Sequence, residues 1–171
     1  MSSETHEHLL REVLASGAKH ATLNTAVRQH RVMTHTETIR AHGHENVSAE
    51  HASTFEVTGD DFLTPAGDCI LAIGADRTPA DFADAFVAAC RDADATITVT
   101  LDTDEHADRI EARGHPDLSF ESDRSLVGRT SDYVDDRTVA VGANKAARDL
   151  NSDLVAALAD GASLTVTLTV G

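Results

Sequence analysis

Two short apolar runs organise the pattern of hydrophobic and polar positions. Residues 69–76 read CILAIGAD and residues 137–144 read RTVAVGAN. A run that is apolar at nearly every position predicts a strand covered on both faces. Further on, TITVTLD (residues 96–102) and SLTVTLTV (residues 163–170) alternate hydroxyl and apolar side chains, which predicts strands with one buried face. Between the first run and its strand lies a helical pattern over residues 79–91, with Thr78 as cap, Pro79 at the first helical position and Asp81 in the first turn. Phe82, Phe86, Ala89 and Cys90 form its apolar face; Leu150, Leu154, Ala157 and Leu158 repeat that spacing before Gly161. Residues 101–110 read as a hairpin turning at 104–107.

The second pattern is a copy of the first. ETIRAHGHE (residues 37–45) aligns with DRIEARGHP (residues 108–116), Val47-Ser48 with Leu118-Ser119, Thr54-Phe55 with Ser125-Leu126, and Asp61-Phe62 with Asp132-Tyr133. After a three-residue gap, Leu71-Ala72-Ile73-Gly74-Ala75 falls on Val139-Ala140-Val141-Gly142-Ala143, Arg77 on Lys145 and Asp81 on Asp149. Ordered matches on this scale predict a fused duplication whose halves, residues 37–103 and 108–171, are related by a pseudo-twofold axis. Each half reads strand, strand, strand, helix, strand. The expected class is α/β (α+β): one mixed β-sheet with helices packed on it, each strand-helix-strand unit a right-handed parallel crossover.

Length and composition bound this to one domain of two halves. Twenty-nine acids against 14 bases give a net charge of −15, and lysine occurs only at Lys19 and Lys145. Such a surface is suited to molar salt, where the Debye length is about 3 Å and carboxylate self-repulsion is screened. An acidic, lysine-poor composition rich in Asp, Ala and Thr looks like that of proteins from a salt-accumulating, haloarchaeal cytoplasm. The charge thus reports the solvent more than the partner. Two cysteines, Cys69 and Cys90, are too few for a disulfide scaffold and lack paired zinc spacing, pointing to a reduced, cytoplasmic protein. No apolar run reaches the roughly 18 residues of a membrane helix. Residues 1–32 carry a net +1, against −16 for the remainder, so the composition breaks at Met33. Either Ser3 caps an amphipathic helix with Leu9, Leu10, Val13 and Leu14 as its stripe and Gly17 at its end, or Met33 is the true start.

Candidate chemistry centres on His44 and His115, each preceded by glycine and followed two residues later by Asn46 or Asp117. A twofold axis places them in one cleft or at opposite ends of the sheet. In the plain structural reading each ends its strand and bonds the neighbouring turn, the amide or acid fixing the ring. As a reactive pair they are general acid or base candidates of a hydrolase or transferase. His42, His44 and His51 resemble a metal cluster, but the second half has Arg113 opposite His42, so a symmetric metal site is excluded. The loop at 64–69, present only in the first half, offers Asp68 as a ligand acceptor, while Cys69 is a weak nucleophile candidate. Asp76 and Asn144 mark the ends of the apolar runs, where open sheets bind ligands, and Arg77 with Lys145 could hold an anion at the helix entrances. For nucleic acid the place to look is a patch of Arg40, Arg109, Arg113, Arg124, Arg129 and Arg137. No cofactor is implied. The expected role is a binding module for a small anionic ligand, RNA or a protein partner, with the enzyme as its rival.

The combination of AHGH at 41–44, LTPAGDCILAIGAD at 63–76, GHPD at 114–117 and ANKAARDLN at 143–151 resembles the archaeal family catalogued as domain of unknown function 371. The resemblance spans roughly residues 37–171. It implies an archaeal cytosolic protein and carries across no activity, cofactor or catalytic residue.

Overall fold

The computed structural model describes residues 33–171, so the helix and start-site expectations for residues 1–32 lie outside the described residues. Eight strands run in the order β1 (His35–His42), β2 (Thr54–Thr58), β3 (Ile70–Ala72), β4 (Thr96–Asp102), β5 (Ala107–Arg113), β6 (Ser125–Arg129), β7 (Thr138–Ala140) and β8 (Ser163–Val170). Two helices, α1 (Asp84–Cys90) and α2 (Ser152–Ala159), separate β3 from β4 and β7 from β8. The mixed α and β class is as the periodicity predicts, and the hairpin forms, with Thr103 donating to the His106 carbonyl at 2.9 Å.

The strands build two sheets where one was expected. Sheet A has the order β1-β8-β4-β5 and is wholly antiparallel; sheet B has the order β3-β2-β6-β7, with parallel outer pairs and an antiparallel centre. The helix after β3 therefore carries the chain from sheet B to sheet A, not to a parallel neighbour. Periodicity reports which face of a strand is buried and says nothing of which strand lies alongside. The sheets also join at their edges. His42 and Ile73 exchange backbone bonds of 3.0 and 2.8 Å, and Arg113 and Val141 exchange bonds of 2.7 and 3.0 Å. The edges of β1 and β5 are thereby tied to those of β3 and β7, closing a ring that leaves little edge to template another strand.

The alternation predicted for β4 and β8 decides what fills the ring. Ile97, Val99 and Leu101 point inward with Leu164, Val166, Leu168 and Val170, where they meet Phe55, Val57 and Leu126 of sheet B. Their threonine neighbours form the outer face of sheet A. There Thr36, Thr169 and Thr98 stand in one row and Thr38, Thr167 and Thr100 in the next. Arg40, Asp102, Arg109, Glu111 and Arg113 lie around them.

Each helix is shorter than predicted. Pro79–Asp81 forms a separate 3-10 turn, the chain is extended at Phe82 and Ala83, and α1 starts only at Asp84. The cause is a carboxylate from β1: Glu37 accepts the Ala83 N–H at 2.7 Å and holds it out of the preceding turn. The second half does the same, with Ala147–Asp149 as the turn and Asp108 accepting the Asn151 N–H at 2.8 Å. Asn151 then caps α2, its Oδ1 accepting from Asp153 and Leu154 at 2.9 and 3.0 Å.

The hydrogen bonds of the halves match pair by pair. Gly59 donates to the Arg124 carbonyl at 2.7 Å, and Thr130 to that of Ser53 at 2.9 Å. Ala80 donates to Ser122 at 3.0 Å, and Arg148 to His51 at 3.1 Å. Ala49 and Phe120, at matching positions, both take the left-handed conformation, with φ of 52° and 54°. These bonds join residues of opposite halves, so each half completes the other.

Candidate functional site

The glycines before the two histidines answer a packing demand. Any side chain at Gly43 would collide with the backbone of Leu158 at the end of α2, and any at Gly114 would collide with the carbonyls of Cys90 and Asp92 at the end of α1. Gly43 donates to the Ala162 carbonyl at 2.8 Å and Gly114 to that of Ala95 at 3.1 Å. Each glycine is thus the point where a helix end is pressed against a strand end.

The two histidines do not share a cleft. His42 pairs with Ser163 at the start of β8, whereas Arg113 pairs with Thr96, beside the Ile97–Val170 pair at the end of β8. His44 and His115 therefore leave sheet A at opposite ends, roughly 23 Å apart along the strand direction. In each turn the ring is held by the backbone: Nδ1 of His44 accepts the Asn46 N–H, and Nδ1 of His115 the Asp117 N–H, both at 3.0 Å. An amide N–H can only donate, so the ring proton sits on Nε2 in this arrangement. The side chains expected to fix the rings do something else. Asn46 donates its Nδ2 to the Leu63 carbonyl at 2.8 Å, and the Asp117 carboxylate, 79% exposed, stands 4.0 Å from Nδ1.

The metal-like histidines are kept apart in the same way. Nδ1 of His42 donates to the Gly43 carbonyl at 3.0 Å, and Nδ1 of His51 accepts the Ser53 and Thr54 N–H groups at 3.2 and 3.1 Å. β1 ends at His42, so the period-two argument fails before His44. No group of three or more His, Cys, Asp or Glu among the described residues is arranged to hold a metal ion. Ser122, opposite His51 in the repeat, does the same work, its Oγ accepting from Arg124 and Ser125 at 3.1 and 3.2 Å.

At the sheet–helix junctions, Gly74 and Gly142 take φ of +65° and +60°. The amides that follow are engaged: Ala75 bonds the Thr58 carbonyl and Asp76 that of Arg40, at 3.0 and 2.9 Å. Asp76 Oδ1 accepts the Arg40 N–H at 2.9 Å, and Asn144 Oδ1 the Glu111 N–H at 3.0 Å. Arg77 and Lys145, offered as an anion clamp, are ion-paired instead. Arg77 lies 2.6 Å from Glu37 and also donates to the Thr38 and Asp81 carbonyls; Lys145 lies 2.5 Å from Asp108. The same two carboxylates that stop the 3-10 turns hold these cations. Burial raises the Asp108 carboxyl pKa, but the Lys145 ammonium and the Asn151 and Arg109 N–H groups outweigh it, leaving the group below its ordinary range. Sequence reasoning missed Glu37 and Asp108 as functional positions, although they stand opposite each other at the first residue of the repeat.

The Asp68 carbonyl accepts from Glu50 and His51 at 3.0 and 3.2 Å, and the loop closes on a Gly67 to Thr64 bond of 3.0 Å. Cys69 is no nucleophile: its Sγ donates to Glu56 at 3.4 Å, and burial with that carboxylate pushes its pKa up to about 11. Burial, with Glu37 nearby, takes Cys90 to about 12. The arginine patch divides in two. Arg40, Arg109 and Arg113 rim the outer face of sheet A. Arg124 meets Asp60 at 2.9 Å, while Arg129 and Arg137 share Asp135 at 2.9 and 3.3 Å.

One concavity lies outside all of these. A groove of about 270 Å³ runs along α1, lined by Pro79, Ala80, Phe82, Asp84, Val87, Arg91, Ser119 and Phe120. Beneath it Phe82, Phe86 and Phe120 pack on one another in the core, ring centroids between 5.5 and 6.1 Å apart, and Phe82 and Phe120 are only 6% and 4% exposed. None of the sequence motifs pointed to it, because its two sides come from segments some 30 residues apart.

Among the described residues no helix is long and apolar enough to cross a membrane. The chain is 40% identical over 126 residues to an uncharacterised protein of Methanocaldococcus jannaschii, a match covering 74% of this chain and 93% of that one. The profile of a domain of unknown function, DUF371, matches residues 39–171, which take in both helices and all of both sheets except the first four residues of β1. This chain belongs to the DUF371 family.

Proposed function

We propose that the chain is a binding module, built by duplication, in which a rigid ring of strands presents open surfaces to a partner. The observation that carries this reading is the engagement of the candidate histidine, cation and thiol groups in the frame itself. The histidine Nδ1 atoms cap their own turns, Arg77 and Lys145 hold helix-stopping carboxylates, and Cys69 is hydrogen-bonded to Glu56. Catalysis needs a base, a nucleophile and a polarising group converging on one point, and His44 and His115 stand at opposite ends of sheet A. The surfaces left over are the threonine rows of sheet A and the groove beside α1. Duplication is supported by the paired hydrogen bonds across the halves, and a salt-rich archaeal cytoplasm by the acidic, lysine-poor composition.

The test is native recovery of the full chain at molar KCl, followed by mass spectrometry and ultraviolet absorbance of whatever remains bound. A near-stoichiometric metabolite, RNA or protein companion is the expected result. Multiple turnover of a hydrolase or transferase substrate, abolished by His44→Gln or His115→Gln in a folded variant, would overturn the reading.

A further inference from the structure

Every outward side chain of sheet A is exposed or half-buried. Along β8 and β4 these side chains are hydroxyls apart from Asp102, and a hydroxyl both donates and accepts. A face of hydroxyls can therefore bond a copy of itself, which a face of carboxylates or guanidinium groups cannot. The charges point the same way. Residues 33–171 carry a net −16, yet this face sets Arg40, Arg109 and Arg113 against only Asp102 and Glu111. Two copies of so acidic a chain repel each other over most of their surface, and here they do not. Arg40 and Glu111 stand at matching places of the repeat, on the edge strands β1 and β5, so opposite charges occupy opposite corners of the face.

We propose that two copies of the chain dock through this face, sheet A on sheet A, with Arg40 of each copy on Glu111 of the other. This rests on the binding-module reading and names the partner of one open surface. In a twofold interface residue i meets j and j meets i, so oppositely charged corners pair twice. With strands about 4.8 Å apart and alternate residues about 6.8 Å apart along each strand, Arg40 and Glu111 lie about 20 Å from each other. The twofold axis that exchanges them runs diagonally across the face and passes between Thr100 and Thr167. The same axis brings Asp102 of one copy to within about 3 Å of the place above Arg109 of the other. It also crosses the strands of the two sheets at about 90°, one of the two angles at which sheets pack. Arg109 already bonds Glu111 at 2.8 Å, and both side chains are more than half exposed. The charges of the two copies thus alternate in one chain of Arg40, Glu111, Arg109 and Asp102. An overlap of about 19 Å by 19 Å puts the contact at the small end of specific interfaces.

Sedimentation equilibrium of the full chain in about 2 M KCl tests this, because ion pairs in contact lie within a Debye length of about 3 Å and survive there. A monomer–dimer equilibrium with a Kd of about 1–100 µM is expected, in keeping with so small an interface. Arg40→Glu sets like charges against each other twice and should weaken the dimer at least ~10-fold. The double swap Arg40→Glu/Glu111→Arg restores both pairs and should return the Kd to within ~3-fold of the parent chain. Arg148→Glu, at the turn before α2, should change it less than ~2-fold. A chain that stays monomeric at about 200 µM, a parent Kd in Arg40→Glu, or a folded double swap that associates no more tightly than Arg40→Glu alone would overturn the proposal. A monomer that still retains a companion on native recovery would remove the dimer and leave the binding module standing.

Discussion

The end of sheet A at Gly43 and the end at Gly114 are built from the same bonds and present different chemistry. At each, a glycine admits a helix terminus and a histidine Nδ1 accepts the N–H two residues on, while the 3-10 turn before that helix is stopped by a cation-paired carboxylate of the opposite edge strand, Asp108 for α2 and Glu37 for α1. Beside α1 this frame carries three phenylalanines and Arg91; beside α2 the matching places hold Leu150, Leu154, Ala49 and Ala159. The comparison separates two kinds of unusual residue. Repeated glycines and histidines draw the eye in a sequence, yet here their repetition marks structural necessity. The unrepeated phenylalanines beside α1 fill a part of the core that leucine and alanine fill beside α2.

The comparison breaks most visibly at the glycines. Gly43→Ala and Gly114→Ala each drive a methyl group into helix-end backbone, which has no side-chain rotamer with which to yield. Each should cost about 3 kcal/mol or more, read by urea unfolding. A loss under about 1 kcal/mol at either would show that the helix ends are not pressed against the sheet as described.

Next come the paired carboxylates. Glu37→Ala strands Arg77 and frees the Ala83 N–H, with an expected loss of about 2 kcal/mol, less than for a fully buried pair because Arg77 is one-third exposed. Asp108→Ala should follow in the same direction. Asp108 and Asp135 are both held below their ordinary pKa: for each, burial raises it, but hydrogen bonds and nearby cations outweigh burial. A depressed carboxyl stabilises the fold above its unfolded value, near 3.8, and that contribution is lost as the pH falls through the folded value. Melting temperature should therefore drop on acidification below about pH 4, with a shallower drop in Asp108→Asn. Identical acid profiles for the variant and the parent chain would contradict the assignment.

The smallest effects belong to the histidines. His44→Gln and His115→Gln each remove one accepted N–H bond at a partly exposed turn, and each should cost about 1 kcal/mol, equally in the two halves. Unequal losses measured by thermal melting would break the equivalence.

Much of this frame was legible in the residues. The repeat alignment, including the three-residue gap, predicts which residues occupy matching places, and the gap falls in the loops, 11 residues between β2 and β3 but 8 between β6 and β7. Alternation in TITVTL and SLTVTL gives the strands and their buried faces because period two is a local property. What failed was partnership over distance. That β4 pairs with β8 across the repeat, that β3 and β4 belong to different sheets, and that Glu37 reaches Ala83 depend on close approaches that no local window contains. The site suffered most. Arg77 and Lys145 look free until Glu37 and Asp108 are seen beside them, and the groove exists only once α1 meets the turn at Ser119 and Phe120.

The claim at the centre is that the residues at matching places hold the frame. Urea unfolding of Gly43→Ala beside Gly114→Ala tests it most directly, because each methyl group meets the backbone of a different helix end. The account predicts that both lose about 3 kcal/mol or more, within about 1 kcal/mol of each other. A large loss in one variant and none in the other would contradict it.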